Sequence, residues 1–238
     1  MDSSAFTVQL KQTARSLGFQ QVGACAASSP EGLDAFDRWL KAGCAGDMTY
    51  MADRRCAYEH PRYVLPGARS LLMLGMSHVP VGAGIEQDGY GRVARYAAGS
   101  VDYHDDIRRR LKELGRRATE LRPDVRVRGV VDTAPLLERD FARLAGLGWI
   151  GKNTMLLNRH LGSYFFLAAL LLDGELVYDA PLTSGYCGRC TACLDACPTA
   201  AFPGPYVLDA TRCISYLTIE SRGPIPRQLR PAVGDRLF

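Results

Sequence analysis

The residues with the most distinctive chemistry in this chain are cysteines near its end. Five of the eight cysteines lie between residues 187 and 213. Four of these follow the pattern Cys-x-x-Cys-x-x-Cys-x-x-x-Cys-Pro; they are Cys187, Cys190, Cys193 and Cys197. This spacing is typical of bacterial ferredoxins, in which the thiolates hold iron–sulfur clusters. A zinc site usually combines two separated Cys-x-x-Cys pairs, often with histidine, and the run has neither feature. The pattern therefore favours an iron–sulfur cluster over zinc and indicates a redox protein.

The number of cysteines leaves open how many clusters the segment holds. In two-cluster ferredoxins the fourth cysteine of such a run binds the other cluster, and two cubane clusters need about eight ligands. The segment supplies five cysteines, the fifth being Cys213, and no histidine follows His160. Either one cluster is held here, or the remaining ligands lie on sequence beyond Phe238. The second alternative predicts a truncated chain.

A second candidate for chemistry is Asp132, which follows a predicted strand and precedes Pro135. A carboxylate at the carboxyl edge of a strand can face a ligand in the crevice of a layered sheet. There it can serve as a general acid or base if burial raises its pKa. An N-cap of the helix that Pro135 begins is supported equally well by the local pattern.

Other polar and glycine-rich stretches lie on either side of Asp132. Gly146, Gly148 and Gly151 permit close approach to a flat or phosphorylated ligand, and Lys152 adds a charge. The spacing matches neither the phosphate loop nor the dinucleotide fingerprint, so a plain turn is the alternative. Upstream, the aromatic ring of Tyr96 is suited to packing on an aromatic or macrocyclic surface. His104 is a candidate for proton transfer because of its residue type, although a lone histidine is more often structural.

The elements that must position these residues can be read from hydrophobic periodicity. Helical spacing is found in residues 4–17 and 105–121, and helices are predicted from Pro30 to Gly43 and from Pro135 through Leu144. Strands are predicted at 21–26, 70–76 and 125–130, and a hairpin from 162–172 and 175–178 with its turn at residues 173–174. Strands mixed with helices predict an α/β or α+β layered domain over residues 1–182. Residues 183–238 then form a small ferredoxin-like segment.

Composition and charge restrict the class of protein. The chain is 47% hydrophobic and 23% charged, which is ordinary for a protein with a core. It has no run of about eighteen apolar residues and no secretory pattern, so we expect a cytoplasmic protein without a membrane partner. In such a compartment the scattered Cys25, Cys44 and Cys56 are predicted to be structural. The arginine-rich residues 108–128 suit nucleic-acid phosphates or a solvated helix face, and charge alone favours the helix face.

Several stretches together resemble the epoxyqueuosine reductase family, whose members use cobalamin and iron–sulfur clusters to finish queuosine in tRNA. The matching stretches are LPGARS at 65–70, VDTAPLLER at 131–139, GLGWIGK at 146–152, the cysteine run, and RCISYLTIE at 212–220. The resemblance covers essentially the whole chain. The stretches GLGWIGK at 146–152 and RCISYLTIE at 212–220 are specific to this family, whereas the cysteine run is not.

The resemblance implies a cobalamin-binding domain at residues 1–182 that receives electrons from the ferredoxin-like segment 183–238. It implies two 4Fe-4S clusters, tRNA carrying epoxyqueuosine as substrate, and an external low-potential electron donor. Asp132 matches the family's proton donor, and Glu220 lies near its tRNA contact. The residues implied to bind cobalamin are Tyr96, Asp132, Gly151, Lys152 and Ser215. Cys187, Cys190 and Cys193 match ligands of the first cluster, and Cys197 and Cys213 match ligands of the second.

The chain departs from the family pattern at two places. The stretch between Tyr96 and Asp102 is one residue longer than the family spacing. The family continues past the position of Phe238 into a second cysteine run, so the resemblance implies truncation and reduced activity of this chain alone. A reductive dehalogenase is an alternative with the same cofactors, but those enzymes are typically exported. A ferredoxin-like electron carrier is a third interpretation, against which about 180 additional residues argue.

Overall fold

The computed structural model describes residues 1–78, 89–97, 99–183 and 185–237. Its helices are α1 (Ser3–Ser16), α2 (Leu33–Lys41), α3 (Thr49–Asp53), α4 (Tyr103–Leu121), α5 (Glu138–Leu144), α6 (Ala192–Asp195) and α7 (Arg230–Val233). Its strands are β1 (Gln21–Ala26), β2 (Ser70–Ser77), β3 (Val127–Val130), β4 (Trp149–Ile150), β5 (Leu156–Leu157) and β6 (Phe165–Leu172). Helices and strands are mixed along the chain, in agreement with the layered α/β or α+β architecture predicted from the sequence.

The main sheet of the described residues has four strands in the order β1-β2-β6-β3, and every neighbouring pair is antiparallel. β2 and β6 pair along their whole length, with Ser70 opposite Leu172 and Ser77 opposite Phe165. The short strands β4 and β5 pair separately. The mixed α/β architecture is thus confirmed in its α+β form. Because the strands are antiparallel, the crevice rule for parallel sheets does not explain the position of Asp132.

Both faces of the sheet are covered by helices. Leu72 and Leu74 in β2 belong to a buried apolar cluster with residues of α1 and α4. The alternate residues Leu71 and Met73 belong to a second cluster with Phe141 of α5. Successive side chains of a strand point to opposite faces, so a strand covered on both faces has no polar position. This explains the uninterrupted apolar runs of β2 and β6.

Two predicted elements differ from the structure. The hairpin is wrong, since residues 175–178 form no strand and run back toward β1, where the Asp179 backbone donates to Ala24 O at 2.9 Å. The reason is that β2 and β3 already occupy both edges of β6. The helix predicted from Pro135 begins instead at Glu138, which leaves residues 131–137 as a loop. That loop carries Asp132.

The surface of α4 accounts for most of the arginine-rich stretch. Its guanidinium groups pair with acids one turn away, as in Arg110 with Asp106 at 2.8 Å and Arg117 with Glu113 at 3.1 Å. Pairs at this spacing are typical of a solvated helix face. No described helix has both the length and the apolar composition to cross a membrane.

The cysteine-rich segment packs against α2 and the residues that follow it. The indole Nε1 of Trp39 donates to Leu208 O at 2.5 Å, and the backbone N–H of Asp47 donates to the Tyr216 hydroxyl at 2.7 Å. Trp39 and Met48 also pack on a buried apolar cluster that includes Leu217. The division at residue 183 stays a prediction.

Gly23 offers a test of how closely β1 lies against the end of α5. A Cβ added at Gly23 would lie 2.0 Å from the carbonyl oxygen of Ala145, a backbone atom that cannot swing aside. We expect Gly23→Ala to lower the free energy of unfolding by about 1–3 kcal/mol, as measured by urea denaturation. The matched control is Gly223→Ala, because a Cβ there has no heavy atom within 4 Å. Equal losses in both variants would contradict the close approach.

Candidate functional site

A cleft of about 470 Å³ lies between one end of the main sheet and the cysteine-rich segment. Five residues identified from separate stretches of the sequence line it: Tyr96, Asp132, Cys213, Ser215 and Glu220. They come from a turn before α4, the loop after β3, and residues 213–220. The fold therefore brings together residues that are up to 124 positions apart, between Tyr96 and Glu220.

Asp132 is held in an unusual backbone conformation. Its φ is 59°, in the left-handed region, which costs a non-glycine residue roughly 1–2 kcal/mol although aspartate tolerates it better than most. Its Oδ2 lies 3.2 Å from His104 Nε2 and 3.4 Å from the Tyr103 hydroxyl. The N-cap interpretation is wrong, because Leu137 occupies the cap position of α5. The Asp132 carboxyl is therefore directed toward the cleft rather than used to cap a helix.

His104 connects Asp132 with a second carboxylate. Asp102 caps α4 and accepts a hydrogen bond from the His104 backbone N–H at 2.8 Å, and its Oδ1 is also 2.8 Å from His104 Nδ1. These hydrogen bonds hold the pKa of Asp102 below its ordinary value. The imidazole thus bridges two carboxyl groups, an arrangement that can move a proton between them. The histidine that sequence alone favours as structural therefore contacts a carboxyl group that lines the cleft.

One wall of the cleft is aromatic. Tyr103 stacks on Phe166 with ring centroids 3.9 Å apart and an interplanar angle of 8°. Tyr96 meets both rings edge-on at 6.2 Å. Burial, followed by the negative charge of Asp132, raises the pKa of Tyr103, so its hydroxyl stays protonated and donates toward Asp132.

The same wall fits a large flat cofactor. A second cavity of about 710 Å³ shares His78, Tyr96, Tyr103 and Phe166 with the cleft, so the rings are exposed on two sides. His78 Nδ1 is buried and has no hydrogen-bond partner among the described residues. An unsatisfied buried polar atom is costly, and a polar substituent of a bound ring would satisfy it.

Two ionisable residues that line the cleft, Glu138 and Arg139, have no role predicted from the sequence. Glu138, the first residue of α5, is half-buried, and its Oε1 accepts a hydrogen bond from the Asp132 backbone N–H at 3.2 Å. Desolvation and then the charge of Asp132 raise the pKa of Glu138 to about 8. Arg139 donates to Thr154 O at 3.2 Å, and desolvation lowers its pKa. Both residues belong to the stretch 131–139 that resembles the family, so this motif is the sequence feature from which a role for them could have been predicted.

The five cysteines of the segment supply a donor set suited to iron–sulfur clusters. All five thiols are free and accessible to solvent at least in part, with Cys190 exposed. Cys197 Sγ accepts a hydrogen bond from the Ala201 backbone N–H at 3.3 Å, the kind of contact that stabilises cluster thiolates. Across the described ranges, no three cysteine, histidine or acidic side chains are arranged as ligands of one metal ion. The cluster assignment therefore depends on residue type and spacing.

Gly151 and Lys152 do not line the cleft. Lys152 Nζ donates to the backbone oxygens of Gly188 at 2.8 Å and Cys190 at 2.9 Å, inside the cysteine run. Gly151 is buried, and a Cβ there would lie 2.6 Å from Leu157 Cδ1. The predicted contact of both residues with cobalamin stays a prediction, while the geometry shows that Lys152 holds the cysteine loop against the body of the protein.

Comparison with known proteins agrees with this combination of a cleft and a cluster segment. The family model described as "Epoxyqueuosine reductase QueG, DUF1730" matches residues 59–133. The model described as "4Fe-4S double cluster binding domain" matches residues 186–238.

Curated and solved relatives cover the chain from end to end. The epoxyqueuosine reductase of Pseudomonas aeruginosa is 46% identical over 241 residues, covering 100% of this chain and 66% of that protein. The crystal structure of an epoxyqueuosine reductase with an epoxyqueuosine-modified tRNA-Tyr stem loop superposes with a TM-score of 0.87 at 30% identity, covering 98% of this chain and 62% of that one. A Bacillus subtilis epoxyqueuosine reductase was solved with an aspartate catalytic loop swung out of its active site. It superposes with a TM-score of 0.87 at 29% identity, covering 98% of this chain and 62% of that one. The chain thus spans 62–66% of the length of these relatives.

The hydrogen bonds of Lys152 predict that it stabilises cluster binding. Lys152→Met removes two bonds from a charged donor, so we expect iron to be lost to a chelator about tenfold faster after anaerobic reconstitution. The matched control is Arg189→Met, since Arg189 is an exposed cation within the same cysteine loop. Iron release at the same rate in both variants would contradict a specific role of Lys152.

The raised pKa of Glu138 predicts a pH dependence of stability. Its pKa is about 8 in the folded chain against an ordinary value of 4.5, so the folded state binds more protons between these limits and loses stability as the pH rises. We expect Glu138→Gln to remove this fall, as measured by urea unfolding at about pH 5, 6.5 and 8. The control is Glu175→Gln, at an exposed glutamate far from the cleft. A constant difference between wild type and Glu138→Gln at all three pH values would rule out the shift.

Proposed function

The chain belongs to the epoxyqueuosine reductase family, and we propose that it forms the catalytic part of an enzyme that reduces epoxyqueuosine to queuosine in the wobble position of tRNA. The observation that carries the proposal is the cleft, in which a carboxyl group, an aromatic wall and a cluster cysteine lie together. Removal of the epoxide oxygen to give an alkene and water consumes two electrons and two protons. The cleft offers a proton donor, and the cysteine segment offers a route for electrons.

The substrate is proposed from the relative that was solved with an epoxyqueuosine-modified tRNA stem loop. We assign the tRNA contact to Glu220, which is exposed and lines the cleft. Its Oε1 lies 3.5 Å from the hydroxyl of Tyr50, an exposed residue of α3. A carboxylate at this position can accept hydrogen bonds from base or ribose groups of an extruded nucleotide.

The cofactors follow from the donor sets on the chain. Cys187, Cys190 and Cys193 would hold a first 4Fe-4S cluster, and Cys197 and Cys213 would contribute to a second. Cobalamin would lie against the aromatic wall near Tyr96 and Ser215. When bound, these groups supply the two electrons, which reach them from an external low-potential donor. Cys213 lines the cleft itself, so a cluster held there would lie beside the reacting site.

The proton is proposed to come from Asp132. Its carboxyl lies in the cleft, and we assign the loop 131–137 the role of the aspartate catalytic loop named in the Bacillus subtilis relative. A proton given to the departing oxygen is replaced through His104, whose Nε2 is 3.2 Å from Asp132 Oδ2. Asp102 stabilises the charged imidazole during that transfer.

The proton role is tested by Asp132→Asn. The substitution keeps the size of the side chain but removes its acid, so we expect turnover to fall roughly 10²- to 10⁴-fold. Conversion of epoxyqueuosine in tRNA is measured by mass spectrometry, in a polypeptide that joins this chain to the remaining third of its relatives. Cobalamin retention, read from its absorption, serves as the control and should be unchanged. Wild-type turnover by a variant that still holds cobalamin would exclude Asp132 as the donor.

A further inference from the structure

Glu138 lies beside the proposed proton donor, yet the reaction as proposed gives it no part. It begins α5 and lines the cleft together with Asp132. Its carboxyl is not used to pair with Arg139, since that guanidinium donates to Thr154 O instead. The contact that it does make, to the Asp132 backbone, therefore needs an explanation.

The loop 131–137 has little internal support in the part of the chain that the structure describes. Its own backbone hydrogen bonds span only two residues, from Thr133 N to Val131 O at 2.6 Å and from Leu136 N to Ala134 O at 2.8 Å. The bond from Asp132 N to Glu138 Oε1, at 3.2 Å, is different because it connects the start of the loop to the helix that follows. It closes the loop at its base.

We propose that Glu138 is a positioning residue whose carboxyl group holds the Asp132 backbone in its left-handed conformation and so keeps the Asp132 carboxyl in the cleft beside His104. The inference rests on the proposed function of Asp132. A non-glycine residue with a φ of 59° stores strain and persists only when its surroundings oppose relaxation. Without the Glu138 acceptor, the backbone of Asp132 relaxes and its carboxyl leaves the position 3.2 Å from the imidazole.

The charges around Glu138 suit this role. Desolvation and then the Asp132 carboxylate raise the pKa of Glu138 and favour its neutral form, while the hydrogen bond from the Asp132 N–H and then the Arg139 guanidinium act in the opposite direction without reversing the shift. The phenol of Tyr58 also interacts electrostatically with Glu138, and its own pKa is raised mainly by burial. A neutral carboxyl accepts the Asp132 N–H through its carbonyl oxygen without adding a second negative charge beside Asp132. A glutamine side chain has the same shape and the same carbonyl acceptor, so Glu138→Gln should preserve the positioning role of Glu138.

The test compares Glu138→Ala with Glu138→Gln by amide hydrogen exchange on the purified chain. We expect the Asp132 amide to exchange about three- to tenfold faster in Glu138→Ala and within about twofold of wild type in Glu138→Gln. Amides of β6 provide the internal control and should exchange at the wild-type rate in both variants. Equal protection of Asp132 in Glu138→Ala and wild type would overturn the proposal. Faster exchange throughout β6 would also overturn it, since a role confined to the loop does not reach the sheet.

A second measurement separates this inference from the proposed function. In the longer polypeptide, Glu138→Ala should lower kcat about three- to tenfold with little change in KM for tRNA, and Glu138→Gln should restore kcat. If wild type does not reduce epoxyqueuosine but exchange still separates the two variants, the proposed function fails and the positioning role stands. If exchange does not separate them, the positioning role fails whatever the turnover.

Discussion

The pairing of β2 with β6 is the constraint on which the rest of the structure depends. Both strands are buried along almost their whole length, and β6 is paired on both edges. Their register places Met76 opposite Phe166 and Ser77 opposite Phe165, so the aromatic residues of β6 meet the end of β2, next to His78. Because β3 pairs with the other edge of β6, its exit into residues 131–137 lies at this same end of the sheet. The cleft is thus a consequence of strand register, and a one-residue slip would turn Phe166 to the opposite face.

The electrostatics of the cleft follow from this confinement. Asp102, Asp132 and Glu138 are connected through His104 and the Asp132 backbone, and the environments of these three carboxyl groups differ. Asp102 is held ionised by hydrogen bonds at the N-terminus of α4, whereas Glu138 is kept neutral by desolvation near Asp132. Neighbouring acids that titrate apart can have separate roles, one stabilising a charged imidazole and another serving as a neutral acceptor. Asp132 is connected to both: its side chain contacts His104, which in turn contacts Asp102, and its backbone N–H donates to Glu138.

The sequence allowed the residues that carry chemistry to be found, but not their arrangement. The cysteine run was recognised because cluster ligation depends on local spacing, and β2 was recognised because a strand buried on both faces is uniformly apolar. The hairpin after β6 was wrong because edge occupancy is decided by β3, about 40 residues upstream. His104 was undervalued for a similar reason, since its partner Asp132 is 28 positions away along the chain. The hydrogen bonds of Lys152 to the cysteine loop could not be predicted either, because sequence shows its charge but not the carbonyl groups that it reaches.

One short segment joins a residue proposed for the electron route to residues proposed for the substrate site. Residues 213–220 carry Cys213, Ser215 and Glu220, which line the cleft in succession. Tyr216 fixes this segment by accepting a hydrogen bond from Asp47 N at 2.7 Å, where Gly46, with a φ of 57°, leaves space for the phenol. A Cβ at Gly46 would lie 2.5 Å from the Tyr216 hydroxyl oxygen, so only glycine permits this contact. Cys213, proposed as a cluster ligand, and Glu220, proposed as the tRNA contact, belong to one anchored turn. Under the proposed function, a shift of the cluster would move the rim of the cleft, and electron delivery would be coupled to substrate binding through the backbone of this segment.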